Sequence, residues 1–316
     1  MDGLGHVLSG PRARQAFVLR MVMHAPWSVR IEDDPALSLV AVARGSLWVC
    51  GELGDAFQLI AGDVMLVRGG PVYSLSDHPA TPLQVTVRQG NQCFDPEGHL
   101  VDQSMSLGVR TWGNDVGGTT GTVLLVGTWQ AETEAGRPLL AALPECLVRR
   151  RSEWDSTIVD LLASEVVREE PGQDVVLDRL LDLVLVGAVR SWLADATATS
   201  GLAAPDPVVD HVLRLMHHSP AHGWTIALLA REAGVSRAAL ARRFTVAVGE
   251  PPMTYLTHWR LALAADLLTG TDGGLEQVAR EVGYSSPFAL SAAFKRVRGV
   301  SPQQHRRAAR AAPISS

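Results

Sequence analysis

Short apolar runs separated by turn residues fill the first part of the chain. Their β-branched and aliphatic residues are interrupted by Gly, Pro and Asp, which is the pattern of short strands joined by tight turns. Strands so closely spaced are typical of an antiparallel barrel or sandwich, and we expect an antiparallel β-barrel. The runs predict strands at 17–23, 27–31, 37–43, 46–50, 57–60, 64–67, 83–88 and 122–126.

The hydrophobic pattern then changes from alternation to helical spacing. Leu177, Leu181 and Val184 follow i, i+3, i+4 positions on one face of a helix. This spacing predicts a helix over 174–196, after a first helix over 154–169. Two amphipathic helices that follow a barrel either pack on that barrel or pair with another subunit, and the pattern leaves both possibilities open.

The last third of the chain contains one segment twice. Leu229-Ala-Arg-Glu-Ala-Gly-Val-Ser236 reappears 49 residues later as Val278-Ala-Arg-Glu-Val-Gly-Tyr-Ser285. In each copy Ala precedes Gly by four positions, so a second helix can pack closely and the Gly permits a left-handed turn. A Ser then caps the next helix: Ser236 in the first copy and Ser285 or Ser286 in the second. Each copy therefore predicts a helix-turn-helix.

The second helix of each copy carries its anchoring residues on one face. Leu240 and Phe244 lie four apart, as do Leu290 and Phe294, so the opposite face is free to enter a major groove. One copy would also suit a plain helical bundle, but two copies that share a Gly-x-x-Pro ending favour DNA binding. The candidate DNA-contacting residues are Ser236, Arg237, Ala238, Ala241, Arg242, Arg243, Ser286, Pro287, Phe288, Ser291, Lys295 and Arg296.

The distribution of charge supports this interpretation. The chain as a whole has a formal net charge of −5. Residues 206–316 carry 13 Lys+Arg against 8 Asp+Glu, a net charge of +5, whereas residues 1–205 carry 15 against 25, a net charge of −10. The basic part contains the repeat, which fits binding to the phosphates of double-stranded DNA, and we do not expect the acidic part to touch DNA.

From Asp206 to Arg307 the sequence resembles the AraC/XylS family of bacterial transcription regulators. The resemblance rests on the two repeat copies and on segments such as Gly249-Glu-Pro-Pro-Met-Thr-Tyr-Leu256 and Gly299-Val-Ser-Pro302. It implies two helix-turn-helix subdomains joined by a rigid helix, here about Pro252 to Thr269. That helix would place both recognition helices about one turn of DNA apart.

The second copy departs from the family pattern. Ala292 stands where the family usually has Arg, and His305 stands where it usually has Tyr. The first recognition helix offers Arg237, Arg242 and Arg243, whereas the second offers mainly Ser286, Ser291 and Lys295. We therefore expect the first half to supply most of the base-specific energy and the second to act more through phosphates and DNA shape.

The segment 59–77 resembles a cupin core motif, of the kind found in sensor domains of some AraC-type regulators. Cupins that do chemistry hold a metal with two closely spaced His, a Glu and a later His, and this chain lacks the His pair. The resemblance therefore implies a receptor for a small-molecule effector and not an enzyme, with no metal and no cofactor. Trp27, Trp48 and Tyr73 are candidate pocket residues, although each could simply fill the core.

Other features exclude several classes of protein. Cys50, Cys93 and Cys146 are odd in number and widely spaced, so neither a disulfide framework nor a metal site is expected. Residues 1–10 lack the features of a signal peptide, and the apolar run 180–189 is too short to span a bilayer. We expect a soluble cytoplasmic protein with no membrane partner.

Three histidines lie close together before the first repeat copy. His217, His218 and His222 suggest a metal site. However, the first two lie in the segment Leu215-Met-His-His-Ser-Pro220, and a His-x-x-Pro ending of this kind is typical of a helix terminus. We expect the helix terminus.

These observations predict an α+β protein with an antiparallel cupin-like β-barrel followed by helices and by an all-α DNA-binding domain. The expected parts are a sensor domain at 1–150, a helical dimerisation or linking segment at 151–196, a linker at 197–207 and a double helix-turn-helix at 208–310. The leading hypothesis is a transcription regulator that is controlled by a small-molecule effector. A homodimer is one expected assembly, and RNA polymerase is an expected partner if the protein activates transcription. One alternative is a regulator whose barrel only dimerises or contacts proteins; a more distant one is a cupin enzyme fused to a DNA-binding domain.

Overall fold

The computed structural model describes residues 17–108, 110–115, 121–129, 137–199 and 206–311. The chain divides into two compact units. The N-terminal unit comprises chiefly residues 13–132 and 140–196, and the C-terminal unit comprises chiefly residues 197–315. Most of the predicted linker, 200–205, lies outside the described residues.

The N-terminal unit contains the predicted strands and several that the sequence pattern did not reveal. The additional strands are short or contain polar residues. The described strands are β1 (Phe17–Met23), β2 (Ser28–Ile31), β3 (Leu37–Arg44), β4 (Ser46–Gly51), β5 (Phe57–Ile60), β6 (Val64–Arg68), β7 (Tyr73–Ser76), β8 (Val85–Arg88), β9 (Gln92–Phe94), β10 (Ser106–Gly108), β11 (Thr111–Gly113), β12 (Thr122–Trp129) and β13 (Cys146–Arg149).

These strands form two sheets, and within the described residues the sheets do not join into a closed barrel. One sheet has the order β10-β11-β1-β12-β3-β6-β13, and the other has the order β5-β4-β7-β2-β8-β9. Most neighbours are antiparallel, but β1 pairs with β11 and β2 pairs with β8 in parallel. The expected α+β class is confirmed, although the sheets do not close into the expected barrel and two strand pairs are parallel. The sheets stay open because, among the described strands, each edge strand pairs only with a neighbour in its own sheet; these edge strands are β10, β13, β5 and β9.

An apolar core is built from residues of both sheets. On β4, Leu47 and Val49 are buried and alternate with partly exposed neighbours, as expected for a strand with one face in the core. Met65 from the other sheet belongs to the same cluster. Full burial of each such side chain contributes about 1.5 to 3 kcal/mol.

The helices of the N-terminal unit begin with α1 (Arg137–Ala142), α2 (Thr157–Glu165) and α3 (Gln173–Thr199). The long helix α3 was predicted, and it extends three residues into the predicted linker. The preceding helix starts at Thr157 and not at Trp154, because Trp154 has extended backbone and donates from its indole to the Gly62 carbonyl at 3.2 Å.

Helix α3 packs on the sheet of its own chain. Leu181 lies against Gly127 of β12, where an added Cβ would come within 2.6 Å of the leucine side chain. The buried Arg149 of β13 donates to Ser191 at 2.8 Å and pairs with Asp195, both on α3. One face of α3 is thus packed on the sheets of its own chain, which is one of the two possibilities that the sequence left open.

The C-terminal unit is all-helical. Its helices are α4 (Pro207–His218), α5 (Ile226–Glu232), α6 (Arg237–Val248), α7 (Pro252–Gly270), α8 (Leu275–Glu281), α9 (Pro287–Arg298) and α10 (Pro302–Ala311). Helix α7 matches the predicted joining helix. Two separate cores form around Phe244 and around Phe294, one in each half. Among the described helices of the chain, none combines the length and the hydropathy needed to cross a membrane.

Candidate nucleic-acid interface

The first helix-turn-helix consists of α5, a glycine turn and α6. Thr225 caps α5 by accepting from the Leu228 backbone N–H at 3.2 Å. Gly234 has a φ of +67°, which is the left-handed turn that the sequence predicted. Ser236 caps α6 by accepting from the Ala239 backbone N–H at 3.1 Å. These caps fix the start of the first recognition helix.

The second helix-turn-helix repeats this arrangement with α8 and α9. Gly283 has a φ of +82°, and Ser286 accepts from the Ala289 backbone N–H at 3.2 Å. Ser286, and not Ser285, is therefore the cap. Pro287 follows as the first helical residue, where its missing N–H leaves no hydrogen bond unmade.

Both recognition helices bury the anchors that the sequence predicted. Leu240 and Phe244 of α6 are fully buried, as are Leu290 and Phe294 of α9. The proposed DNA-contacting residues lie on the other faces of these helices or at their N-terminal ends. Those that are exposed to solvent are Ser236, Arg237, Ala238, Arg242, Phe288, Lys295 and Arg296; those that are partly exposed are Ala241, Arg243, Ser286, Pro287 and Ser291.

Arg243 differs from the other arginines of its helix because an ion pair holds it. Its Nε and Nη2 donate to the Asp206 carboxylate at 2.6 and 2.5 Å. Asp206 also caps α4 by accepting from the Val208 backbone N–H at 2.9 Å. The hydrogen bonds from Arg243 lower the pKa of Asp206 below its usual value. The pair fastens α6 to the start of α4, so Arg243 would have to leave Asp206 before it could contact a base.

A joint between the two halves was not predicted from the sequence. Arg260 of α7 donates from Nε to the Pro220 carbonyl and from Nη2 to the His222 carbonyl, both at 2.7 Å. Gly283 of the second half lies against the same loop, where an added Cβ would be 2.7 Å from the Ala221 Cα. These contacts fix the second turn to the end of α4. No sequence motif reveals them, because the partners are carbonyls distant along the chain.

His217, the first of the histidines near residue 220, has a structural role. His217 is buried, its Nε2 lies 2.7 Å from the Tyr255 hydroxyl, and its ring centroid lies 4.3 Å from that of Trp259. Burial raises the pKa of Tyr255 to about 12. Helix α4 ends at His218, so the predicted helix terminus is confirmed. Within the described residues, no three His, Cys, Asp or Glu side chains are grouped as a metal site would require.

The three candidate pocket residues of the N-terminal unit do not share one location. Trp27 and Tyr73 are buried in the core between the sheets. Burial raises the pKa of Tyr73 well above its usual value. In the β4–β7 register Trp48 lies opposite Ser76 and Gly51 lies opposite Tyr73, so Trp48 is on the other face of the sheet.

Comparisons with known proteins cover both units. Residues 2–194 match a family model described as Cupin, and residues 229–308 match one described as Helix-turn-helix domain. A putative AraC-like transcription regulator of Streptomyces lividans is 32% identical over 97% of this chain and 98% of its own length. The HTH-type transcriptional regulator AlkR of Acinetobacter baylyi is 27% identical over 97% of this chain and 99% of its own length.

A solved structure also resembles the C-terminal unit in sequence. It is the DNA-binding domain of AdpA, a global transcriptional factor, in complex with a target DNA. The similarity covers 34% of this chain and 96% of that chain, at 31% identity and with a TM-score of 0.32. The full-length match and the cupin match together show the family. The chain belongs to the AraC-type, DNA-binding transcription regulators that carry an N-terminal cupin domain.

Proposed function

We propose that this regulator binds a specific DNA sequence through both helix-turn-helix copies, and that a small molecule held by the cupin domain controls the binding. The observation that carries the DNA-binding part is the pair of capped recognition helices, each with a buried anchoring face and a free face. Arg242 stands exposed on the first of these faces, and Arg237 is exposed at the N-terminal end of the same helix. Arginine in such a position is the commonest reader of guanine.

The proposed effector site lies between the two sheets, near Tyr73 and Trp27. Tyr73 places a hydroxyl in a core that is otherwise largely apolar. A small ligand that hydrogen bonds with this hydroxyl would be recognised by one polar contact and by apolar walls. The cupin domain acts in this proposal as a receptor and not as an enzyme.

An effector alters DNA affinity only if it binds two arrangements of the protein with different affinities. A thermal-shift screen of small metabolites against the full-length chain would find candidates. We expect Tyr73→Phe, which keeps the ring and removes the hydroxyl, and Tyr73→Trp, which changes its shape, to alter the ligand's effect on DNA affinity. Trp48→Phe, on the opposite face of the sheet, is the control and should respond as the wild type does. Titrations of Tyr73 variants that overlay the wild type would place the effector site elsewhere.

A second candidate role for the N-terminal unit is dimerisation. Val175, Val176 and Leu183 are exposed apolar residues of α3. An exposed apolar helix face of this kind is typical of a protein contact. If the regulator activates transcription, RNA polymerase is a further proposed partner.

Sedimentation analysis of full-length protein tests this role. We expect Leu183→Glu to shift a dimer towards monomer, whereas Val167→Glu, which charges an equally apolar exposed site outside the helix, should leave the dimer intact. A wild type that stays monomeric at all concentrations would contradict dimerisation.

A further inference from the structure

The second recognition helix presents an aromatic ring to solvent. Phe288 is the second residue of α9 and is 85% exposed, whereas Phe244 and Phe294 are fully buried anchors. Leaving a phenyl ring in water forgoes the free energy that its burial would supply, so a ring at this place is suited to contact another molecule.

The exposed face of α9 has two chemically different halves. Phe288 and Ala292 lie four apart in the first two turns, and both are exposed. Lys295 and Arg296 continue the exposed face in the last turn. Within α9, whose whole length is described, the first two turns contain one hydrogen-bonding side chain, that of the partly exposed Ser291.

The first recognition helix differs at the equivalent positions. When the caps Ser236 and Ser286 are aligned, Ala238 corresponds to Phe288 and Arg242 corresponds to Ala292. The first helix therefore carries a guanidinium where the second carries a methyl group. The two helices must recognise different base chemistry if both enter a major groove.

The N-terminal residues of a recognition helix contact base edges in the major groove. Thymine is the standard base that presents a methyl group there, and apolar side chains such as Ala and Phe contact it. We propose that α9 reads thymine 5-methyl groups through Phe288 and Ala292, while Lys295 and Arg296 contact phosphates. This inference rests on the proposed function, since it requires the second copy to enter a major groove.

The test compares thymine with uracil, which differ by that methyl group. DNA sites are first selected from a random pool with the full-length chain, and each thymine of the second half-site is then replaced by deoxyuridine. Burial of one methyl group contributes about 0.8 kcal/mol to binding, so we expect replacement by deoxyuridine to reduce affinity about fourfold at one or two positions. Replacing thymines of the first half-site should cause no loss of affinity that depends on Phe288, because α9 does not contact that half-site in this proposal.

Two variants assign the effect to Phe288. Phe288→Ala should bind thymine and uracil sites equally at the affected position, because the ring that contacts the methyl group is gone. Val246→Ala is the matched control: Val246 is 83% exposed, but it lies in the last turn of the first recognition helix. This variant should keep the wild-type preference for thymine.

The outcomes separate the inference from the proposed function. Selected sites that bind equally well with uracil at every position, or a Phe288→Ala protein that keeps the full wild-type preference for thymine at every position, would overturn methyl reading by Phe288 and leave DNA binding intact. In that case Phe288 is better explained as a contact to a protein partner. Failure to select any DNA sequence would instead contradict the proposed function itself.

Discussion

The two turn glycines, Gly234 and Gly283, occupy the same place in the repeat but have different surroundings. Both have positive φ, +67° and +82°, so replacement by Ala puts a side chain into the left-handed region. For an L-residue this conformation costs about 1 to 2 kcal/mol. Nothing lies within 4 Å of an added Cβ at Gly234. We therefore expect Gly234→Ala to reduce the free energy of unfolding by about 1 to 2 kcal/mol.

Gly283→Ala should cost more, because the new Cβ meets backbone. It would lie 2.7 Å from the Ala221 Cα and 2.9 Å from the Pro220 and Ala221 carbonyl oxygens. Backbone cannot move aside as a flexible side chain does, and overpacking of this kind adds about 1 to 3 kcal/mol. The total loss for Gly283→Ala is therefore about 2 to 5 kcal/mol.

Denaturant unfolding of a fragment that begins at Asp206 measures both variants. Trp224 and Trp259 are its two tryptophans and report unfolding by fluorescence. We expect the fragment to fold alone, and we expect Gly283→Ala to unfold at lower denaturant concentration than Gly234→Ala. Equal losses in the two variants would refute the close contact between the second turn and the loop after α4. A fragment without helical circular dichroism would show that the domain boundary is misplaced.

Three further predictions concern single side chains. Arg242→Ala should lose about 1 to 3 kcal/mol of binding free energy on the selected site, measured against random DNA, and should lose specificity at one base position. The control Arg231→Ala removes an equal charge outside the recognition helix and should keep specificity at every position. Equal losses on selected and random DNA would make Arg242 a phosphate contact. The lowered pKa of Asp206 means that its ion pair stabilises the fold above its unfolded pKa, about 3.9, and that this stability is lost as pH falls through the lower folded pKa. Asp206→Asn keeps the cap and removes the charge, so in melts between pH 6 and pH 3 it should lose less stability on acidification than the wild type does; parallel curves would contradict this. Burial raises the pKa of Cys93 to about 12, and partial burial raises that of Cys146 to about 11, so both thiols should react slowly with iodoacetamide at neutral pH. Rapid labelling seen by mass spectrometry would contradict these raised pKa values.

Local pattern was sufficient where a segment buries one face regardless of its partners. The alternation in β4, which lies within one residue of its predicted bounds, and the buried i, i+4 anchors of α6 and α9 are such cases. The repeat also revealed its caps, since Ser at an N-cap and Gly in a left-handed turn are dictated by the local backbone.

Features that depend on partners distant in sequence were not predictable. Strand β13 is four residues long and exists because it pairs with β6, and the choice of partner decides whether sheets close into a barrel. Arg243 has the same local setting as Arg242, yet the structure pairs it with Asp206, 37 residues away. The location of Trp48 on the outer side of its sheet likewise follows from register, which a single strand does not reveal.

We propose that one C-terminal unit reads two adjacent stretches of DNA through its two recognition helices. The most direct measurement is the affinity of the full-length chain for a selected site into which about 5 base pairs, half a helical turn, are inserted between the two half-sites. Because α7 and the Arg260 contacts fix the two recognition helices, we expect this insertion to reduce affinity to that of a site whose second half-site is randomised. An insertion of about 10 base pairs should not restore it, since the helix cannot lengthen. Undiminished affinity after the half-turn insertion would contradict the account.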